Sequence, residues 1–229
     1  MPLHWLLGLA LFGGLFGGGA DQGCATAERT MQRIERDWPL RASGDPLRRH
    51  VQALGARLGA IAGLDTAVRI HLVRNLEPLA FALGGGQFLV SDGLIALVGD
   101  EAQLAAVLAH EISHQRLGHF CAAPDSADQR IDLGAVVQHF DLQREIAADR
   151  AAETLLARAG LDPGAMAGVL VCLQQGHGAS AQLSARIGAL APAPPPHPEH
   201  DSPAFTRVRA QLVDELDGLW SESGGCRPR

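Results

Sequence analysis

Hydrophobic residues recur at helical spacing in several segments of this chain. In residues 46–61 the apolar side chains fall three or four positions apart, and Gly63 follows as a helix stop. A second pattern begins after Asp100, which can act as an N-cap with Gln103 three residues later. Leucine, valine and isoleucine then recur at helical spacing with alanine between them. This pattern predicts a buried helix that other elements approach closely.

Further helices are predicted downstream. The helical spacing is strongest over residues 141–159, and an Asp-Pro pair opens another helix over residues 162–173. A last helix is expected over residues 203–219. Residues 174–185 are rich in Gly, Gln and Ser and are predicted to form a mobile loop, and residues 191–198 are predicted to form a proline-rich extended segment.

A small sheet is predicted before the second helix. Residues 68–73 alternate with β-branched side chains, and residues 79–83 and 87–90 flank three consecutive glycines, Gly84 to Gly86. The glycines permit either a close backbone approach at a substrate cleft or a plain hairpin turn. The strand near residues 86–90 is expected to be an edge strand that can pair with an extended substrate.

The second helix carries the candidate chemistry. His110 and His114 stand four positions apart, so on a helix both imidazoles leave the same face and can reach one metal ion. Glu111 is rotated around the axis, which places its carboxylate beside the open position of the metal. Buried histidines need partners, and a metal would supply them. The pattern is typical of a zinc hydrolase, although a chance match in a structural helix is the alternative.

A catalytic zinc needs a third protein ligand, and Glu145 is the candidate. Glu145 and Asp149 stand four apart on another predicted helix and share one face. We expect Glu145 to bind the metal and Asp149 to accept a hydrogen bond from the free ring nitrogen of His110 or His114. The alternative is an ordinary solvated pair of acids.

His119 does not fit the third ligand position of a metzincin. That motif requires the third histidine ten positions after the first, whereas His119 follows His110 by nine. We therefore expect His119 to lie behind the ligands or at the surface.

Composition narrows the chemistry. The chain has 229 residues and a net charge of -6 without basic clusters, which gives no reason to expect nucleic acid as a partner. All nineteen basic residues are arginines, which excludes Schiff-base and P-loop lysine chemistry. There is no tyrosine, so a donor to a reaction oxyanion must be histidine, arginine, a backbone amide or a metal.

The N-terminus resembles an export signal. Met1 to Ala20 is apolar and carries no charged side chain, and it ends on small residues. Only His4 stands where a signal peptide has basic residues, so an uncleaved membrane anchor is the alternative. No later uncharged apolar run approaches the ~20 residues that span a bilayer.

Four cysteines at wide spacings are expected to form disulfides in an exported protein. No pair of them has the spacing of a metal knuckle, and three pairings are possible. The cysteines are Cys24, Cys121, Cys172 and Cys226.

Five short motifs follow one another along the chain: Leu79 to Gly86, Val90 to Leu94, His110 to His114, Glu145 to Asp149, and His197-Pro198. In order and spacing they resemble the HtpX/BepA-like family of zinc metallopeptidases, which includes the CAAX prenyl proteases. The resemblance extends over roughly residues 47–209. It implies an α+β fold of the gluzincin type, mainly helical, with a small antiparallel or mixed sheet beside the zinc-binding helix.

The resemblance also implies endoproteolysis with one Zn²⁺ per chain. His110, His114 and Glu145 would be its ligands and Glu111 the base. The chain departs from the family at Leu79, where asparagine is usual, and at Gly84, where proline is usual. It also lacks the Ser-Thr that precedes His-Pro, the multi-span membrane segments of HtpX, and the helical repeats of BepA.

These observations predict a minimal exported peptidase. Residues 1–20 would be a signal peptide or anchor, with possible membrane association, and residues 21–229 a single metallopeptidase domain. We expect a periplasmic enzyme that cleaves protein or peptide substrates in quality control of envelope proteins. The rivals are a chaperone-like or adaptor protein with a mainly structural zinc, and a zinc hydrolase of non-peptide bonds.

Further site residues are predicted around the metal. Substrate contacts are expected from the turn and strand after residue 84, at Gly85, Gly86, Gln87 and Phe88. His197 is the candidate donor to the reaction oxyanion. Its alternatives are a plug that binds the zinc in a resting state and an exposed histidine in a linker.

Overall fold

The computed structural model describes residues 11–12, 31–32, 34–36, 38–119, 142–177, 180–190 and 201–216. The strands are β1 (Leu11–Phe12), β2 (Arg69–Val73), β3 (Ala80–Gly84) and β4 (Gln87–Ser91). The helices that enclose the core are α1 (Pro46–Ala62), α2 (Asp92–Leu97), α3 (Glu101–Arg116), α4 (Leu142–Arg158), α5 (Ala165–His177), α6 (Ala181–Ala189) and α7 (Pro203–Leu216). The predicted class, mainly helical with a small mixed sheet beside the metal helix, is confirmed.

The sheet has the strand order β1-β3-β4-β2, with β4 antiparallel to β3 and parallel to β2. The prediction that residues 86–90 form an edge strand is therefore wrong, because β4 is paired on both sides. Its residues Phe88 to Val90 are all buried, as the uninterrupted apolar run of an interior strand requires. Strand β3 contacts α3 and is also paired on both sides, with β4 and, through Ala80–Phe81, with Leu11–Phe12. The edges of the described sheet are therefore β1 and β2.

The three glycines form the hairpin turn between β3 and β4. Gly84, Gly85 and Gly86 have φ values of 87°, 59° and 78°, a left-handed conformation that other residues rarely adopt. A Cβ at Gly86 would lie 2.5 Å from the carbonyl oxygen of Ala67. The turn also docks onto α3, because the Gly86 N–H donates to Oε1 of Gln115 (3.2 Å).

Helix α3 runs through the centre of the core. It packs against α1, α4, α5 and β3, and every residue from Ala102 to His114 is buried. Alanines at several of these positions let neighbouring helices approach closely, as the sequence predicted. Because the middle of α3 is buried, the polar side chains there need partners other than bulk solvent.

The helix ends follow their capping residues. Asp45 and Asp100 accept backbone hydrogen bonds at the starts of α1 and α3, and Gly63 ends α1 in the left-handed conformation. Two segments differ from expectation: α2 was not predicted, and the loop predicted over residues 174–185 is largely helical. Helix α5 continues to His177, and α6 begins at Ala181 after the N-cap Ser180.

Candidate metal centre

The two histidines of α3 face one point in the interior. His110 and His114 are both fully buried, and their Nε2 atoms lie 3.0 Å apart. Their separation of one helical turn brings the rings together in an edge-to-face arrangement. Each ring directs a lone-pair position at the same small volume.

Glu145 completes this cluster from α4. Its Oε2 lies 3.4 Å from Nε2 of His110, and its Oε1 lies 3.3 Å from Nε2 of His114. The donor atoms of the three buried residues lie within 4.8 Å of one another. Helices α3 and α4 pack side by side, which is why residues that are 31 or more positions apart in sequence meet here.

This donor set fits a zinc ion. Two imidazole nitrogens and a carboxylate oxygen are the ligands of many catalytic zinc sites, with metal–ligand bonds of about 2.0–2.2 Å. A tetrahedral ion with such bonds separates its ligand atoms by roughly 3.4 Å, close to the 3.0, 3.3 and 3.4 Å observed. In addition, Oε1 of Glu111 and Oε2 of Glu145 are buried without a hydrogen-bond partner among the described residues.

The ring of His110 is held from behind by Asp149. Oδ1 of Asp149 lies 2.9 Å from Nδ1 of His110, an ion-pair contact that is not aligned as a hydrogen bond. The carboxylate and the ring are both completely buried. Of the two histidines that the sequence offered as partners for Asp149, the structure brings His110 to it.

Arg186 of α6 is part of the same cluster, and the sequence analysis missed it. Its Nε and Nη2 donate to the two oxygens of Asp149 (2.8 and 2.7 Å), and its Nη1 lies 3.1 Å from Oε2 of Glu145. Only 2% of the residue is exposed. The sequence offered a signal for the helix alone, since Ser180, Leu183 and Ile187 mark a capped helix that contains Arg186.

His119 lies behind His114, on the side of the ring that faces away from the other two donors. Its Nδ1 is 2.8 Å from Nδ1 of His114. If His114 binds a metal through Nε2, its Nδ1 carries the proton and donates it to His119, so that His119 is protonated on Nε2. His119 therefore belongs behind the ligands, one of the two positions expected for it.

The cluster perturbs its own ionisation strongly. Burial alone would lower the pKa of His110, but contacts with Asp149 and Glu145 outweigh it and raise the pKa to about 10. Burial, helped by the positive charge of His110, lowers the pKa of His114 to about 4. Burial opposes ionisation of Glu145, yet the two histidines hold its pKa far below the usual range. The cluster thus favours one positive charge, on His110, beside an ionised Glu145, and disfavours a second charge on His114.

Glu111 stands beside the three donors without being one of them. Its Oε2 accepts a hydrogen bond from the backbone N–H of Ala82 in β3 (3.0 Å). Only 1% of the residue is exposed, and this burial raises the pKa of its carboxyl to about 8, an effect to which the negative charge of Glu145 adds. A carboxyl group with a pKa near neutrality can both take up and release a proton.

The predicted substrate residues lie in different surroundings. Gly85 is exposed at the tip of the hairpin and Gln87 is half-buried, with Oε1 3.1 Å from Nε2 of His71. Gly86 and Phe88 are buried, and Phe88 belongs to the core. His197 lies outside the described residues, as do Cys24, Cys121 and Cys226.

Comparisons with known proteins agree with this site. Residues 47–124, which include α3, match Peptidase family M48. The mitochondrial metalloendopeptidase OMA1 of Schizosaccharomyces pombe is 31% identical over 141 residues, which cover 52% of this chain and 42% of OMA1.

Two bacterial relatives are β-barrel assembly-enhancing proteases. The protein of Yersinia pestis is 33% identical over 115 residues, which cover 49% of this chain and 23% of the relative. That of Escherichia coli K12 is 30% identical over 154 residues, which cover 53% and 32%. The chain thus spans less than half the length of these three relatives, of which one is a metalloendopeptidase and two are proteases by name. The predicted resemblance to the HtpX/BepA-like metallopeptidases is confirmed, at modest identity and over about half of the chain.

Proposed function

We propose that this chain is a zinc-dependent metalloendopeptidase that hydrolyses peptide bonds in envelope proteins as part of protein quality control. His110, His114 and Glu145 hold one Zn²⁺ per chain, and Glu111 acts as general base and acid. The observation that carries the proposal is the position of the Glu111 carboxylate, buried beside three convergent metal donors with one oxygen anchored to the backbone.

Glu111 has the contacts needed for proton transfer. When bound, Zn²⁺ supplies a Lewis acid that polarises the substrate carbonyl and lowers the pKa of water. Because the Ala82 N–H holds Oε2, Oε1 is the oxygen that takes the proton from the attacking water and passes it to the leaving amine. A nearby cation favours the ionised form, so the carboxyl is ready to act as a base at neutral pH.

Substrate binds by strand addition along β3. The Ala82 N–H points at the catalytic carboxylate, so an extended peptide that takes the place of Leu11–Phe12 beside β3 would lie next to Glu111. Support comes from Leu11–Phe12, an extended segment that pairs with the same strand. Gly85 and Gln87, at the end of the hairpin, border this path, whereas the buried Gly86 and Phe88 hold the hairpin and its strand in place. Binding through main-chain hydrogen bonds tolerates many sequences.

The enzyme is exported to the periplasm. Residues 1–20 act as a signal peptide or anchor, and residues 21–229 form a single peptidase domain. The structure's described part has no helix that is both long and apolar enough to cross a membrane. Cys172 is disulfide-bonded, which favours an oxidising compartment.

His197 completes the proposed site as the donor to the oxyanion. No tyrosine is available for this task, and His197 lies in the motif that the family resemblance assigns to the active site. The plug and linker alternatives remain open for this residue.

Casein or peptide turnover by the purified protein tests the proposed function. We expect cleavage that stops after removal of metal with a chelator and returns with one equivalent of Zn²⁺, because the donor cluster cannot activate water by itself. Calcium or magnesium at the same concentration serves as the control and should restore nothing.

The same experiment separates the alternatives. A chaperone-like or adaptor protein with a structural zinc would suppress aggregation of an unfolded client without cleaving it. A hydrolase of non-peptide bonds would cleave small esters or amides but leave peptides intact. Either result would contradict the proposed peptidase.

A further inference from the structure

Arg186 is the largest fully buried side chain among the described residues. Burying a guanidinium ion costs desolvation free energy unless its N–H groups meet charged partners. Arg186 finds both oxygens of Asp149 and one oxygen of Glu145, at 2.7 to 3.1 Å. Asp149 is the neighbour of the predicted ligand His110, and Glu145 is the third predicted ligand.

The two carboxylates need a cation at this place. Glu145 and Asp149 are one turn apart on α4, and both are buried, so their negative charges repel each other in a medium of low dielectric constant. Arg186 lies against both and compensates this repulsion. Its planar fork also restricts how each carboxylate can turn, because two parallel N–H groups meet the two oxygens of Asp149.

The backbone of α6 is fixed well enough to present Arg186 in this position. Ser180 caps the first turn by accepting a hydrogen bond from the N–H of Leu183. Nε2 of Gln174 in α5 donates to the hydroxyl of Ser184, and Nε of Arg150 in α4 donates to the carbonyl of Ala189. Helix α6 is thus tied to α5 near its start and to α4 at its end.

We propose that Arg186 is a positioning residue of the metal centre, which orients Glu145 for metal binding and fixes Asp149 against His110. Through Nη1 it contacts Oε2 of Glu145, which turns the carboxylate so that its two oxygens face the two Nε2 atoms. Through its fork it holds Asp149, whose Oδ1 lies between Nη2 of Arg186 and Nδ1 of His110. One side chain therefore controls two of the three ligands.

This inference rests on the proposed zinc site but not on peptidase activity. Its test is therefore the zinc affinity of the full chain, measured by competition with a chromophoric chelator. The absorption spectrum of the cobalt(II)-substituted protein reports the geometry of the ligands. Wild-type protein that binds zinc without cleaving peptides would contradict the proposed function and leave the role of Arg186 intact.

Arg186→Met should weaken zinc binding by about 10- to 100-fold and change the cobalt spectrum, as the loss of an outer partner of the ligands does. Arg186→Lys keeps the charge but cannot grip both oxygens of Asp149, so it should also weaken binding by about tenfold or more. If Arg186→Met fails to fold, Arg186→Lys carries the test alone. Wild-type affinity in Arg186→Lys would overturn the proposal.

Arg41→Met is the matched control. Arg41 is also a buried arginine with a bidentate grip on an aspartate, Asp92, but its partners lie outside the metal cluster. We expect the zinc affinity and the cobalt spectrum of this variant to stay at wild-type values. If Arg41→Met weakened zinc binding as much as Arg186→Met, the effect would reflect general loss of stability and the proposal would be wrong.

Discussion

Two buried arginines organise two clusters of acidic side chains in this protein. The Arg41 cluster consists of Arg41, Asp45, Asp92 and Glu215, and it ties the start of α1 to α2 and α7. The Arg186 cluster consists of Arg186, Glu145, Asp149 and His110, and it joins α3, α4 and α6. In both, the guanidinium holds one aspartate with two hydrogen bonds and contacts at least one further carboxylate.

The clusters differ in how many positive groups stabilise the ionised form of the central aspartate. Arg41 serves three carboxylates, one of them half-exposed, and burial keeps the pKa of Asp92 above its usual value despite the arginine. Burial also acts on Asp149, yet Arg186 and His110 together hold its pKa below the usual value. The same pair of residue types thus joins structural elements in one place and, in the other, belongs to a cluster whose histidines and glutamate could hold a metal ion.

Replacement of Glu111 should have the largest effect of the changes considered, and the quantity affected is peptide turnover. Glu111→Gln keeps the shape of the side chain and an oxygen to accept the Ala82 N–H, but it cannot carry a proton between water and the leaving amine. We expect peptide turnover to fall by about 10²- to 10⁴-fold while zinc content stays at one per chain. Turnover assays and metal analysis on the same preparation check this.

Turnover by Glu111→Gln within tenfold of the wild-type value would contradict the role of Glu111. The same preparation also controls for contaminating proteases, because it differs from the active enzyme in one side-chain atom.

Removal of His119 should weaken zinc binding less than a change at Asp149 does. His119 is half-exposed, so water can replace it as the acceptor for Nδ1 of His114, whereas nothing replaces the buried Asp149 behind His110. We expect His119→Ala to weaken zinc binding by about tenfold or less, and Asp149→Asn to weaken it by about 10- to 100-fold. Chelator competition on both variants ranks the two contacts, and the reverse order would refute the comparison.

The sequence predicted the parts of the site that depend on local spacing. His110, Glu111 and His114 are placed by one helix, and Glu145 and Asp149 by another, so the periodicity of a helix fixes their relative positions. The role of Arg186 depends on how α6 packs against α4, 37 residues away from Asp149. Local spacing does not indicate how these two helices pack. In addition, the glycines and serines before Arg186 favoured the prediction of a loop where the structure has α6.

The error in the sheet has a similar cause. The strands themselves were found, but their order depends on β2 pairing in parallel with β4 across the hairpin, which periodicity cannot predict. The unbroken apolar run of Phe88, Leu89 and Val90 was the available signal, since a strand buried on both faces is not an edge. Read that way, the sequence would have placed β4 in the interior of the sheet.

Disruption of the Arg41 cluster should leave zinc affinity unchanged but lower the free energy of unfolding. In Arg41→Met, the buried Asp92 loses both of its hydrogen bonds to the guanidinium. We expect the free energy of unfolding, measured with denaturant in the presence of chelator, to fall by about 3 kcal/mol at pH 7. Zinc binding cannot contribute to stability under these conditions, so the loss belongs to the cluster.

The pH dependence of this loss identifies its origin. Burial would raise the pKa of Asp45, but the hydrogen bond from Arg41 outweighs it and holds the pKa below the usual value. A carboxyl group with a lowered pKa contributes stability that is present above its unfolded pKa of about 3.9 and is lost as the pH falls through the folded pKa. The unfolding free energies of wild type and Arg41→Met should therefore converge below about pH 4. A constant difference from pH 7 to pH 3 would mean that Arg41 stabilises the protein by packing of its alkyl chain, not through its carboxylate partners.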